Sequence, residues 1–278
     1  MQEFHYLNGD IVHIDDAHIP INDIAIGRGY GTFDYFQVWN GVPMHMDMHI
    51  TRFMNSIRLL RLNTEVSSSE LKDALYKLLE KNNNNSAGVK LIATGGASAN
   101  GFSVGEANIA IIMQNYVEAN QDQVRDGVRI LSYEYQRLLP EIKSINYLYA
   151  VYLSDQLEAA QAIEPLYYTT DSVRETARAN VMAVINGKII TPHEKILKGI
   201  TRQTILDEIN IPCECRNITL EEMKSADEVF LCGTTKRALG VVKIDDHVIG
   251  GGKPGPITME VRKQLLDIEA ELITQSHN

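Results

Sequence analysis

The chain is poor in cysteine. Its 278 residues include only Cys213, Cys215 and Cys232. An odd number without a CxxC pair argues against a disulfide framework and against a zinc site, so no metal is expected. Reduced thiols of this kind are usual in a cytoplasmic protein, which is the location expected. Basic residues are also short, at 26 Lys and Arg against 36 Asp and Glu, for a formal net charge of -10. That balance argues against a general nucleic-acid or anionic-membrane binder, although one basic pocket stays compatible with it. No stretch approaches the ~20 apolar residues that a membrane helix needs. The start, Met1-Gln2-Glu3-Phe4-His5-Tyr6, lacks a basic segment followed by an apolar run, so no secretory signal is expected. Internal repeats are missing, and the short asparagine run Asn82–Asn85 is the one low-complexity tract.

What is present fits a globular protein. Apolar residues make up 44% and charged residues 22%. A chain of this length suits one large domain or two ordinary ones, and buries roughly 75% of its unfolded surface.

Three Asn-Gly pairs lie between apolar runs: Asn8-Gly9, Asn40-Gly41 and Asn186-Gly187. Each predicts a two-residue hairpin turn, because both residues tolerate positive φ. Apolar residues at Ile50, Phe53, Met54, Ile57 and Leu60 predict a helix over 48–62. Ser67 with Glu70 forms a capping box ahead of a second helix over 71–79. Residues 81–88 read as a polar loop, and 89–94 and 108–113 as buried strands. The polar, aperiodic stretch 115–127 is taken as a linker. The expected division is a small domain 1–114, the linker 115–127 and a large domain 128–278. In the large domain, strands are expected at 128–133, 166–169, 181–185 and 228–232. Helices are expected at about 145–162, from Thr201, from Thr219 with its capping partner Glu222, and from Pro256 to about Leu272. The pattern is α+β.

Seven segments then resemble, in order, the class IV aminotransferases, the fold type IV enzymes that use pyridoxal 5′-phosphate (PLP). They are Ile26–Asp34 (IGRGYGTFD), His49–Phe53 (HITRF), Ile142–Asn146 (IKSIN), Glu175–Asn180, Ile196–Arg202 (ILKGITR), Val229–Thr235 and Gly252–Pro256 (GKPGP). The closest resemblance is to D-amino-acid aminotransferases. It implies a two-domain fold with a small N-terminal α/β domain and a larger C-terminal, β-barrel-like domain flanked by helices. It also implies PLP as cofactor and a homodimer whose active sites use loops of both subunits.

The resemblance assigns roles residue by residue. Lys143, in IKSIN, is the catalytic and cofactor-binding lysine. PLP chemistry needs an amine that condenses with the aldehyde and later shuttles a proton. Taken alone, a lysine there is usually a surface residue. If buried, its amine would titrate lower and be a better nucleophile. Glu175 would pair with the pyridine nitrogen and keep the ring able to accept electrons; read alone, it is a solvated turn glutamate. Arg52 resembles the phosphate arginine, whose fork matches phosphate oxygens. Ile200 and Thr201, after Gly199, open a helix whose free N–H groups form an anion site. Thr234 would add a hydroxyl.

Departures from the family pattern bear on substrate. The arginine that traps the substrate carboxylate in the usual D-amino-acid enzymes falls in a stretch that here reads Val89–Gly96, without arginine. A bidentate arginine is the strongest carboxylate partner. Arg28, between Gly27 and Gly29, and Arg178 are the two left to replace it, with Thr235 nearby. Alone, Arg28 reads as a surface loop charge and Arg178 as the partner of a nearby carboxylate such as Glu175. Phe33 stands where relatives often carry tyrosine, so it keeps an apolar wall without the hydroxyl. Tyr30 and Tyr147 could compensate, or serve as core aromatics. The favoured activity is transamination between a D-amino acid, such as D-alanine or D-glutamate, and 2-oxoglutarate or pyruvate. A branched-chain L-amino-acid aminotransferase and an aminodeoxychorismate lyase are the alternatives.

Overall fold

Both residues of each Asn-Gly pair take positive φ: 49° and 104°, 50° and 79°, 50° and 76° along the chain. Each pair closes a two-residue hairpin. This computed structural model describes residues 2–276. The chain runs β1 (Phe4–Leu7), β2 (Asp10–His13), α1 (Ile24–Arg28), β3 (Gly31–Trp39), β4 (Val42–Pro43), α2 (Met46–Leu59), α3 (Ser68–Lys81), β5 (Ala87–Thr94), β6 (Ile109–Asn115) and α4 (Gln121–Asp126). It continues as β7 (Val128–Glu134), α5 (Leu148–Tyr152), α6 (Ser154–Ala159), β8 (Ala162–Thr169), β9 (Ser172–Thr176), β10 (Asn180–Ile185), β11 (Lys188–Thr191) and α7 (Ile200–Glu208). It ends as β12 (Cys213–Cys215), α8 (Leu220–Lys224), β13 (Glu228–Gly233), β14 (Arg237–Ile244), β15 (His247–Val248) and α9 (Pro256–Ser276).

The fold is α+β, and the chain divides into two compact units. The first comprises the chain up to Val117, Ile142–Asn146, and the chain from Leu272 onward. The second comprises Glu118–Glu141 and Tyr147–Glu271.

In the first unit an antiparallel six-stranded sheet has the order β2-β1-β6-β5-β3-β4. Phe36, Leu91, Ile111 and Met113 from the strands join Ile50 and Phe53 of α2 and Leu71, Leu75 and Leu78 of α3 in one core. Each such side chain contributes about 1.5–3 kcal/mol by leaving water. The capping box of α3 forms on both sides, between Ser67 and Glu70.

In the second unit a nine-stranded sheet has the order β12-β11-β10-β13-β14-β7-β8-β9, with β15 on β14. Its end strand β9 runs straight back into β10 through a turn closed by Thr176 N–H donating to Ala179 O at 2.9 Å. Along β10, Val181 and Ala183 enter one core while Met182 and Val184 enter another. Burial on both faces explains the continuous apolar run.

Four readings change. The helix expected over 145–162 is two short helices, α5 and α6. Residues before it are held as extended chain: Ile145 N–H donates to Gly31 O at 3.1 Å, and Ser144 bridges Thr32. Ala162 already belongs to β8. The stretch 115–127 contains a helix, α4, capped by Asn120. Strand β9 was not expected: SVRET carries two charges, yet all five residues are buried. Strand β14 follows Thr235 where none was expected.

Candidate active site

In the first unit, β3 brings three of the expected residues together. Its Phe33 N–H and Thr32 hydroxyl both donate to the Lys143 carbonyl at 2.9 Å. Lys143 Nζ lies 4.6 Å from the Phe33 ring centroid, and Lys90 Nζ lies 5.2 Å from it. Lys143 is half-buried. Beside Phe33, Asp34 is fully buried and grips Arg52 through two bonds of 2.8 Å, to Nε and Nη2. His49 Nδ1 reaches the same carboxylate at 2.7 Å. Burial alone would raise the Asp34 carboxyl; Arg52 and then His49 outweigh it and hold it well below the usual carboxylate range. For His49 burial wins over the attraction of Asp34, and the imidazole titrates below its ordinary value. Asp34 and His49 were not singled out from sequence, although Asp34 ends the first family segment. Arg28 stands apart from this group. It is exposed at the end of α1, stacked 4.8 Å over the Phe102 ring and bonded to Gly27 O.

The remaining residues belong to the second unit. Glu175 lies within β9, buried, rather than in a solvated turn. Arg137 Nε donates to its Oε1 at 2.7 Å and Leu197 N–H to its Oε2 at 2.9 Å. Asn180 Nδ2 donates to Leu197 O at 2.8 Å. Two residues on, Gly199 starts α7. A Cβ there would meet Asn180 Oδ1 at 2.1 Å, so any other residue would displace the Asn180 amide. No side chain caps α7. Its first N–H groups, at Ile200 and Thr201, therefore keep the partial positive charge of a helix start. Ile200 is buried and Thr201 half-buried.

Arg178 sits in the turn between β9 and β10 with its side chain 62% exposed. Its partner is Glu164, not Glu175: Nε donates to Glu164 Oε1 at 2.8 Å. Thr234 and Thr235, both half-buried, form the turn between β13 and β14 with Lys236. Gly233, just before them, lies against the Arg178 and Ala179 backbone. The Tyr147 phenol is pushed up to about 12, chiefly by burial, with Glu164 and Glu175 working against Arg137 and Arg178. Sequence reasoning missed Arg137, Glu164 and Lys236. Their roles rest on partners far along the chain, and no local pattern marks them.

The chain belongs to the class IV aminotransferases: the family model for amino-transferase class IV matches residues 31–244. It is similar to the D-alanine aminotransferase of Staphylococcus haemolyticus, at 28% identity over 93% of this chain and 95% of that one. The D-alanine aminotransferase of Bacillus licheniformis is 29% identical, with 93% and 94% covered. Among solved structures, the branched-chain amino acid aminotransferase of Escherichia coli superposes with a TM-score of 0.89 at 22% identity, covering 96% of this chain and 94% of that one. The Thermoproteus uzoniensis branched-chain aminotransferase gives 0.84 at 24%, covering 95% and 93%. These two establish the fold type IV architecture.

Proposed function

We propose that this protein is a PLP-dependent transaminase that moves an amino group between a D-amino acid, such as D-alanine or D-glutamate, and 2-oxoglutarate or pyruvate. The observation that carries the reading is Glu175: a buried carboxylate fixed at both oxygens and tied through Leu197 and Asn180 to the uncapped start of α7. A cationic ring nitrogen and a phosphate suit this donor set.

When bound, PLP supplies an electron sink for the carbanion formed at the substrate's α-carbon. Glu175 keeps the ring nitrogen protonated. The N–H groups of Ile200 and Thr201, the Thr234 hydroxyl and the Arg52 guanidinium would hold the phosphate. Lys143 would carry the cofactor, and its Nζ would take the proton from the substrate's α-carbon and pass it on rather than back. Phe33 walls the lysine with an apolar face. Arg178 and Arg28, with Thr235, take the substrate carboxylate. The D-amino-acid choice is supported by the relatives named as D-alanine aminotransferases, which match nearly end to end. The branched-chain structures bear on fold alone.

A half-reaction titration tests the proposal. The visible absorption of the Lys143-bound cofactor is followed while D-alanine is added to one cuvette and L-leucine to another. Conversion to the amino form of the cofactor with D-alanine only is expected. Conversion with L-leucine only would move the protein to the branched-chain group. A stable spectrum with both would favour the lyase.

A further inference from the structure

Glu164 on β8 is fully buried. Its Oε1 accepts from Arg178 Nε at 2.8 Å and forms an ion pair with Lys236 Nζ at 3.0 Å. Its Oε2, also buried, has no hydrogen-bond partner among the described residues. The two cations come from different turns, Arg178 from that joining β9 to β10 and Lys236 from that joining β13 to β14. In the sheet, β7 separates β8 from β14. Strand pairing sets the Arg178 turn against β8, since Thr176 lies opposite Leu166, but it does not set the Lys236 turn there; this carboxylate ties the second turn to the first.

Stability alone is a poor reason for such a group. A buried charge with an unsatisfied oxygen is costly, and apolar replacements of buried ion pairs are often neutral or better. Its effect on Arg178 is more specific. Nε is taken by Glu164, and Nη2 also donates to Ile163 O at 3.2 Å. The Nε–Nη2 edge of the guanidinium is thus turned to the protein, while the side chain as a whole stays 62% exposed. One carboxylate holding two cations leaves the group with a single excess positive charge, which matches one anionic ligand group.

We infer that Glu164 is a positioning residue for substrate: it aims the Arg178 guanidinium end-on at the substrate carboxylate and, through Lys236, fixes the Thr234–Lys236 turn beside it. The inference rests on Arg178 being a carboxylate ligand. Fixing a fork before ligand arrives lowers the ordering cost of binding. Loss of Glu164 therefore weakens binding of both amino acid and keto acid without slowing the chemistry at saturation.

The test is a double-mutant cycle on the PLP-loaded enzyme with Glu164→Gln, Arg178→Ala and the double variant. It reads KM and kcat for whichever donor reduces the cofactor, together with Tm. Glu164→Gln is expected to raise KM for donor and acceptor roughly tenfold, the effect of one charge-assisted hydrogen bond, with kcat within about twofold. In the Arg178→Ala background the same change is expected to add nothing, because residues acting as a unit are not additive. A full additive effect there would overturn the inference. So would an unchanged KM in Glu164→Gln when Arg178→Ala raises it. An unchanged KM in Arg178→Ala overturns the carboxylate-ligand reading as well, so the two failures are told apart. Should Glu164→Gln not fold, Arg178→Lys carries the test. It keeps the charge without the fixed fork, and a wild-type KM in that variant would overturn the inference.

Discussion

Asp34, His49 and Arg52 show how one buried carboxylate can set both a binding group and a pH response. Asp34 meets one full charge, Arg52, so the set is neutral only while His49 is uncharged. Burial lowers the His49 pKa from its ordinary 6.5 more than Asp34 raises it. Below that value the unfolded chain binds more protons than the folded one. The contribution of neutral His49 is thus complete above about pH 6.5 and fades as pH falls towards the folded value. Asp34, depressed from 3.8, contributes stability that is fully present above that value, so it adds no slope near neutrality. His49→Gln should therefore flatten the fall of Tm between about pH 7.5 and 5.5, whatever its offset in absolute Tm. An unchanged slope would show that His49 is not the group responsible. Asp34→Asn frees the Arg52 fork to move and should weaken PLP binding by roughly tenfold in an equilibrium titration.

At the scale of elements, the start of α7 joins fold to site. Gly199→Ala would drive a Cβ into Asn180, whose amide holds Leu197, which in turn holds Glu175. A loss of about 1–3 kcal/mol in stability is expected, as for overpacking, together with weaker cofactor binding. Thr219→Ala removes the cap of α8, a bond of 3.1 Å to Glu222 N–H, and should cost about 1 kcal/mol while leaving cofactor binding unchanged. Thermal melts with and without PLP separate the two. The same contrast explains what the sequence made legible. Asn-Gly turns and capping boxes act over two to four residues, so their chemistry is visible locally; all three turns form, the Ser67 box forms in full, and at Thr219 the hydroxyl half forms while Glu222 turns to Arg216. Strand β9 was hidden because Arg174 and Glu175 are charged yet buried, and only distant partners such as Arg137 make that possible. The break between β7 and α5 was hidden for the same reason, since Gly31, far back in the chain, claims the Ile145 amide. Family resemblance, rather than periodicity, pointed to Lys143, Glu175 and Arg52. The carboxylates that hold the arginines, Asp34 and Glu164, appear only once strands are paired.

For the molecule as a whole, the resemblance leads us to expect a homodimer, and the second unit offers a face to test. Helix α5 exposes Leu148 at 78%, Val151 at 67% and Tyr152 at 72%. These positions are three and four residues apart, so they share one side of the helix. Leu138 and Leu139 add two more exposed apolar side chains in the same unit. Exposed apolar side chains on one helix side are the kind that mark an interaction surface, and the net charge of -10 works against casual association elsewhere. Val151→Glu places a charge in the middle of that face. Because Val151 is exposed, the change removes little packing within the chain, so its own Tm should move by less than about 0.5 kcal/mol in equivalent stability. Sedimentation velocity of the wild-type protein is expected to give a dimer, and Val151→Glu to shift it towards monomer. A wild-type monomer at all concentrations would remove the homodimer expectation. A variant that stays dimeric would instead place the interface away from α5.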